Sequence, residues 1–267
     1  MISDRIGAYV GIIYSNVYSY TGFDLLVSSA LYAFQLYADF SGYIDITRGA
    51  SRILGINLME NFNFPYIYKS VQEFWTKWHI SLSSWLKDYV YIPLGGGRVS
   101  NFRRYFNIFI TFFVSGLWHG SNITYIVWGT LHAFYQIIER IIGKYKKDIY
   151  INNNFVYIKI FINFILVDFA WIFFRASSIG DAWYIITHLF IFNGFNITLQ
   201  KNSIMFIIFG LLILLIVEYI LYSNKYKGNF TKTVSSDKIK WITIFILIML
   251  VLIMKPVKYG EFIYGMF

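Results

Sequence analysis

The apolar run at positions 203–222, SIMFIIFGLLILLIVEYILY, broken only by Glu218, constrains this chain more than any other stretch. As a helix it is long enough to cross a hydrocarbon core of about 30 Å. A second run, WITIFILIMLVLIM at 241–254, is shorter and spans only if its flanks join in. Charged residues make up 14% of the chain, well under the roughly 25% usual for soluble domains. The 267 residues are therefore read as an integral membrane protein, although length alone permits one or two soluble domains.

The formal charge of +9 sits mostly between apolar runs, in GGGRVSNFRR, ERIIGKYKKD and SNKYKGNFTKTVSSDKIK. Nothing resembles a soluble basic domain, so nucleic acid is a poor partner. Basic loops on the cytoplasmic face, drawn to anionic headgroups, account for the charge and make the lipid bilayer the first partner. Cysteine is absent, which excludes disulfides, thiolate metal sites and a cysteine nucleophile. The opening MISDRIGAYV has an acid beside its arginine and no compact apolar run behind it, unlike a secretory signal peptide.

Along the chain, DRIGAYVGIIYSNVYSYTGF is mixed in character and is expected at the interface. DLLVSSALYAFQLYADFSGYIDI is apolar enough to cross or enter the bilayer, yet carries Asp39 and Asp45. A polar zone covers 47–104. An apolar hairpin, a basic loop and a further span at 155–174 follow, with a short amphipathic piece at 182–192 before the last two runs.

The polar zone holds the best-defined helix. Ser70 followed by Glu73 fits a capping box, and Glu73 can pair with Lys77 at i,i+4. Val71, Phe74, Trp75, Trp78, Leu82, Trp85, Leu86 and Tyr89 recur at helical spacing, predicting one aromatic stripe on a single helix over 70–89. His79 falls on the border of that stripe. Such a helix suits the membrane interface, and a packed core helix explains the stripe equally well.

Around His119 the segments 105–118 and 123–138 read as short helices, each expected to fall short of the hydrocarbon thickness. Both outer flanks are basic, so both belong on the cytoplasmic side. The expected turn at WHGSN then lies within the bilayer, where irregular backbone is tolerated only inside protein or against a wet cavity. His119 is accordingly expected to face a cavity. His132 follows on the second segment and can reach the same space, whereas His188 reads as an ordinary interfacial residue.

Ionisable groups in a membrane are costly and point to function. Burial favours the neutral imidazole, which can accept a proton as a general base must. Haem or metal ligation is the weaker reading, because no His-x-x-x-His pair or third ligand is present. No metal and no bound cofactor are expected. Asp45 and Arg48 are three apart and can pair, leaving a buried ion pair as the bland account of Asp39, Asp45, Arg48 and Arg52. PLGGGR lacks the Lys-Ser/Thr ending of a phosphate-binding loop. It either grips a phosphorylated carrier through Arg98, Arg103 and Arg104 or is a plain turn.

Three motifs taken together carry a family likeness: YADFSGYIDITRGASRILGINLMENFNFPY, FWTKWHISLSSWLKDYVYIPLGGGR and GLWHGSNITYIVWGTLHAF. In that order they resemble the membrane-bound O-acyltransferases, nearest the branch holding the alginate O-acetyltransferase membrane subunit. The closing GEFIYGMF is similar to the end of that branch. The resemblance implies an all-α fold, with polytopic transmembrane helices and re-entrant or interfacial helices around a central funnel. It also implies one integral-membrane domain over 1–267, expected to be the C-terminal portion of the family fold and incomplete at its N-terminus, with a catalytic-motif region at 39–140. Ala133 stands after His132 where relatives often have glycine.

The same resemblance implies transfer of an acyl group, acetyl above all, from a cytoplasmic thioester donor such as acetyl-CoA towards hydroxyls of an extracytoplasmic polysaccharide. A secreted or membrane-anchored protein would pass the group on, and the cell membrane is the expected location. By motif, His119 is the catalytic histidine and His79 the second important one. Trp118 and Asn122 are candidates to stabilise the oxyanion, and Trp78, His132, Asp39 and Asp45 are further tunnel candidates. Two alternatives stay open: D-alanyl transfer to teichoic acid, and a non-catalytic membrane protein such as an export component or truncated remnant.

Overall fold

The computed structural model describes residues 2–20, 22–145, 155–192 and 201–227, together with Trp241, Phe245, Ile248, Met249 and Leu252. Lys146 onward in the basic loop, the basic stretch from 228, most of the second apolar run and GEFIYGMF lie outside the described residues. All regular elements among the described residues are helical.

The N-terminal stretch expected at the interface is core. Helix α1 (Ile2–Ser15) carries Ile6, Tyr9, Val10 and Ile13 at i, i+3, i+4 and i+7, and all four are buried. They pack on α2 (Phe23–Ile53), where Tyr9 donates to the Asp24 carboxylate at 2.6 Å. The Arg5 guanidinium lies 4.2 Å from the Phe206 ring on α9 (Lys201–Lys227) and ties the two helices together. The mixed look of this stretch thus reflects polar groups with partners inside the protein.

The largest correction concerns the helix expected over 70–89, which is broken. Val71–Trp75 form α3 and Ile80–Leu86 form α4, followed by a π-helical turn at Lys87–Tyr91. Between them the backbone leaves the helical ladder for the loop at 61–63. Asn63 N–H donates to the Lys77 carbonyl at 3.0 Å, and Ile80 N–H donates to the Asn61 carbonyl at 3.1 Å. The Asn61 side chain accepts from both the N–H and the hydroxyl of Ser81. The front of the stripe, Val71, Phe74, Trp75 and Trp78, is buried, while Trp85 and Tyr89 stack on each other and are exposed. The predicted N-cap holds: Glu73 N–H donates to Ser70 Oγ at 3.0 Å. The Glu73 carboxylate accepts from Lys69 N–H, one residue before the expected donor, and pairs with Lys77 at 2.7 Å.

The hairpin arms are also longer than expected. Helix α5 (Asn101–Trp118) has 18 residues and α6 (Ile123–Tyr145) has 23, so they extend about 27 and 35 Å. The basic flanks are part of the helices, and Ser100 caps α5 through Arg103 N–H. Shortness therefore does not force the turn into the bilayer; within the turn His119 alone is buried, while Trp118 and Ser121 are exposed.

Helix α7 (Val156–Arg175) and the 203–223 portion of α9 are long and apolar enough to cross a membrane. The α9 segment is mostly uncovered, as a lipid-facing helix would be. Helix α8 (Ile179–His188) is the short amphipathic piece, beginning earlier than expected at the Ser178 cap. Helix α3 packs on α6 and touches Phe112 of α5 through Trp75, while Trp78 just beyond it meets Tyr37 of α2 and Trp171 of α7, and this arrangement positions the histidines.

Candidate active site

The turn between α5 and α6 begins where two helices approach unusually closely. A Cβ on Gly116 would sit under 3.0 Å from the Tyr125 carbonyl, and one on Gly129 would meet the Phe112 carbonyl as closely. Glycine at both crossings lets the backbones touch, in the manner of small-residue helix pairs in membranes. His119 ends α5 in a helical conformation, and Gly120 turns the chain with φ +146°.

His119 is 2% exposed and sits in an aromatic shell. Its ring lies 4.9 Å from Trp118, 4.9 Å from Trp128, 5.0 Å from Phe174 and 6.4 Å from Tyr125. His79 arrives from the break between α3 and α4 with φ +44°, in the left-handed region that non-glycine residues rarely enter. Its ring packs 4.8 Å from Phe40 on α2 and 6.1 Å from Trp118. The two imidazoles thus flank one indole. Trp118 itself is half exposed, so this aromatic cluster reaches the protein surface on one side. Burial pushes the His79 imidazole down to about 4, so it is neutral at physiological pH.

The other predicted residues divide. His132 is buried beyond Trp128, whose ring stands 5.1 Å from it and 4.9 Å from His119. Its Nδ1 accepts from the Trp75 indole N–H at 3.2 Å. An indole only donates, so the neutral His132 ring carries its proton on Nε2. Trp78 is a core residue, packed among Phe62, Phe74 and Trp171 rather than in a tunnel. The Asn122 amide donates to the Ser177 carbonyl at 2.9 Å, and its oxygen accepts from Thr124 N–H at 3.1 Å. These bonds start α6 and anchor the link to α8, a structural use that takes one of the two amide hydrogens of a residue expected at the oxyanion. Asp39 lies on α2 beside Phe40, the ring that meets His79.

Asp45 is exposed and 3.9 Å from Arg48, which also reaches Glu60 at 3.4 Å. These groups line a separate polar cleft with Lys225, whose lining includes neither His79 nor His119. Arg103 and Arg104 are spent on the glycine loop, donating to the carbonyls of Leu94 and Gly97. That geometry favours the plain turn over the phosphate grip. His188 stacks on Tyr184 at the end of α8 and takes no part.

Sequence reasoning missed Glu139. Its carboxylate accepts from Val71 N–H at 2.6 Å and Gln72 N–H at 3.0 Å, fixing the start of α3 from α6. A signal was present: Trp128, His132, Gln136 and Glu139 recur at helical spacing, placing polar groups on the inward face of an apolar helix. Phe174, which closes the shell of His119 from α7, had no such signal.

This constellation can be set beside known proteins. A family model described as MBOAT, the membrane-bound O-acyltransferase family, matches residues 12–180, which include His79, His119 and His132. The chain belongs to the membrane-bound O-acyltransferase family. Among its relatives, "Probable alginate O-acetylase AlgI" of Pseudomonas aeruginosa is 44% identical over 175 residues, 66% of this chain and 33% of that protein. The peptidoglycan O-acetyltransferase of Helicobacter pylori is 35% identical over 200 residues, covering 74% and 37%. The teichoic acid D-alanyltransferase of Bacillus subtilis is 38% identical over 126 residues, covering 43% and 32%. The chain spans about a third of the length of these curated relatives. The family is membrane-bound and all-α in this chain, as the motifs implied.

Proposed function

We propose that this chain carries the catalytic centre of an O-acyltransferase of the cytoplasmic membrane, spanning it several times. It would move acetyl from a cytoplasmic thioester, acetyl-CoA in the first instance, to a hydroxyl destined for an extracytoplasmic polysaccharide. The observation that carries this reading is the meeting of buried His79 and His119 on either side of the half-exposed Trp118 indole. Acetyl is favoured over D-alanyl because the O-acetylating relatives cover more of the chain than the D-alanyltransferase does.

In this mechanism neutral His119 takes the proton of the acceptor hydroxyl as its oxygen attacks the thioester carbonyl. The tetrahedral oxyanion collapses, the C–S bond breaks, and the thiolate leaves with a proton returned by an imidazole. His79 orients the acceptor or supplies that proton from the opposite side. The half-exposed Trp118 indole N–H and the buried Trp128 indole N–H, which has no partner among the described residues, are local donors for the oxyanion, a role requiring about 2.7–3.1 Å to the reacting oxygen. General-base help of this kind is worth roughly 10²–10⁴-fold. A secreted or anchored partner would hand the acyl group to the polymer.

The test compares ester-linked acetate released by mild alkali from envelope polysaccharides of cells carrying the native gene or His119→Ala, at matched protein abundance. Loss of acetate supports the reading, and the depleted polymer fraction identifies the acceptor. Loss of D-alanine transfers the assignment to teichoic acid. If neither changes, the chain is not catalytic through His119.

A further inference from the structure

Outside the histidine cluster, the cleft with the most distinctive chemistry opens between α3–α4 and the basic half of the α5–α6 hairpin. It encloses about 360 Å³. Lys87 and Arg140 stand in its lining, no carboxylate does, and Gln72, Thr76, Thr111 and Gln136 add further polar groups. Its apolar floor includes Trp75 and Phe112. Two cations over an aromatic floor fit an amphiphile with an anionic head. The Arg140 Nε is buried with no hydrogen-bond partner among the described residues, a donor that a ligand oxygen would satisfy. Glu139, the nearest acid in sequence, aims its oxygens at the α3 backbone while its charge also acts on Arg140, and Asp88 beside Lys87 is exposed and outside the lining.

We propose that this cleft binds the phosphate headgroup of an anionic phospholipid from the cytoplasmic leaflet, with its glycerol and upper acyl carbons against Trp75 and Phe112. Charge complementarity argues for this occupant. The cleft lies at the end of the hairpin that also carries Arg98, Arg103 and Arg104, the end that the positive-inside rule directs to the cytoplasm, where anionic lipids meet basic pockets between helices. Position argues against the thioester donor. The back wall is Trp75, held by its bond to His132 and packed 5.7 Å from Trp128, which in turn backs on His119. An occupant of the cleft is therefore screened from the reacting atoms. The lipid would steady α3, and through it the break that presents His79.

The test uses the full chain purified in mild detergent and examined by native mass spectrometry, with phosphatidylglycerol, phosphatidylcholine, inorganic phosphate or coenzyme A supplied separately. One phosphatidylglycerol should be retained in preference to phosphatidylcholine. At about 1 kcal/mol per basic residue near anionic lipid, Lys87→Glu should weaken retention at least fivefold and Lys87→Ala/Arg140→Gln about thirtyfold. Lys87 is exposed, so its single variant keeps the result readable if the double variant does not fold. Equal retention of the two lipids, retention unchanged in Lys87→Glu, or displacement of the lipid by coenzyme A or inorganic phosphate at equal concentration would each overturn the proposal.

Discussion

His79 is held by two unusual conditions at once, a left-handed backbone and a buried ring. The first makes its identity matter for folding. Asn adopts positive φ more readily than β-branched residues do, so His79→Asn should fold while His79→Ile should lose about 1–3 kcal/mol more, read from denaturation in detergent. The second sets a pH dependence. His79 lies in the link between α3 and α4, and its pKa falls from 6.5 to about 4 on burial. Above pH 6.5 both folded and unfolded chains are neutral there, so nothing is lost. As pH drops from 6.5 towards 4, only the unfolded chain takes the proton, and stability falls by up to about 1.4 kcal/mol per pH unit. Melting curves at pH 7.5 and 5 should therefore converge for His79→Gln relative to wild type. Identical pH slopes in the two proteins would mean the ring is not held neutral.

Among the elements, α3 is the smallest and the most dependent on others. Five residues form no stable helix alone, and Glu139 supplies the acceptors its first N–H groups need. Glu139→Ala should cost about 1–2 kcal/mol and speed hydrogen exchange at Val71 and Gln72; unchanged exchange there would contradict the bracing role. The hairpin depends instead on closeness. Gly116→Ala or Gly129→Ala forces a methyl against backbone, an overpacking expected to cost roughly 1–3 kcal/mol. Lower melting temperatures with reduced acyl transfer should accompany either change, because His119 follows Gly116 by less than one turn. These elements were only partly legible. The Ser70 cap and the Glu73–Lys77 pair are local and were readable, whereas the break after Trp75 was not. Aromatic periodicity continues through 70–89 regardless of whether the backbone does, and the hydrogen bonds that interrupt it come from Asn61 and Asn63.

For the whole molecule, the membrane is the missing solvent. Among the described residues the 203–223 helix is mostly bare, and Leu212 on it is half exposed and apolar. Leu212→Arg should cost about 2.5–3.5 kcal/mol of insertion free energy and reduce the protein recovered from alkali-washed membranes. Glu218 on the same helix is accommodated because Tyr37 donates to it at 2.5 Å from α2. Equal recovery of Leu212→Arg and wild type would place that face against protein and not lipid.

Apolar run length, low charge content and loop charge were enough to read a membrane chain, because the cost of placing a segment in hydrocarbon depends on its composition over its whole length. The motifs were enough for the family and for which histidines to compare. Tertiary structure alone decided that Trp118 stands between those histidines, that Trp128 separates His132 from them, and that the amide of Asn122 is committed to Ser177. Each of these depends on contacts between residues far apart in the chain, and helical periodicity carries no information about which distant backbone or ring will occupy a given face.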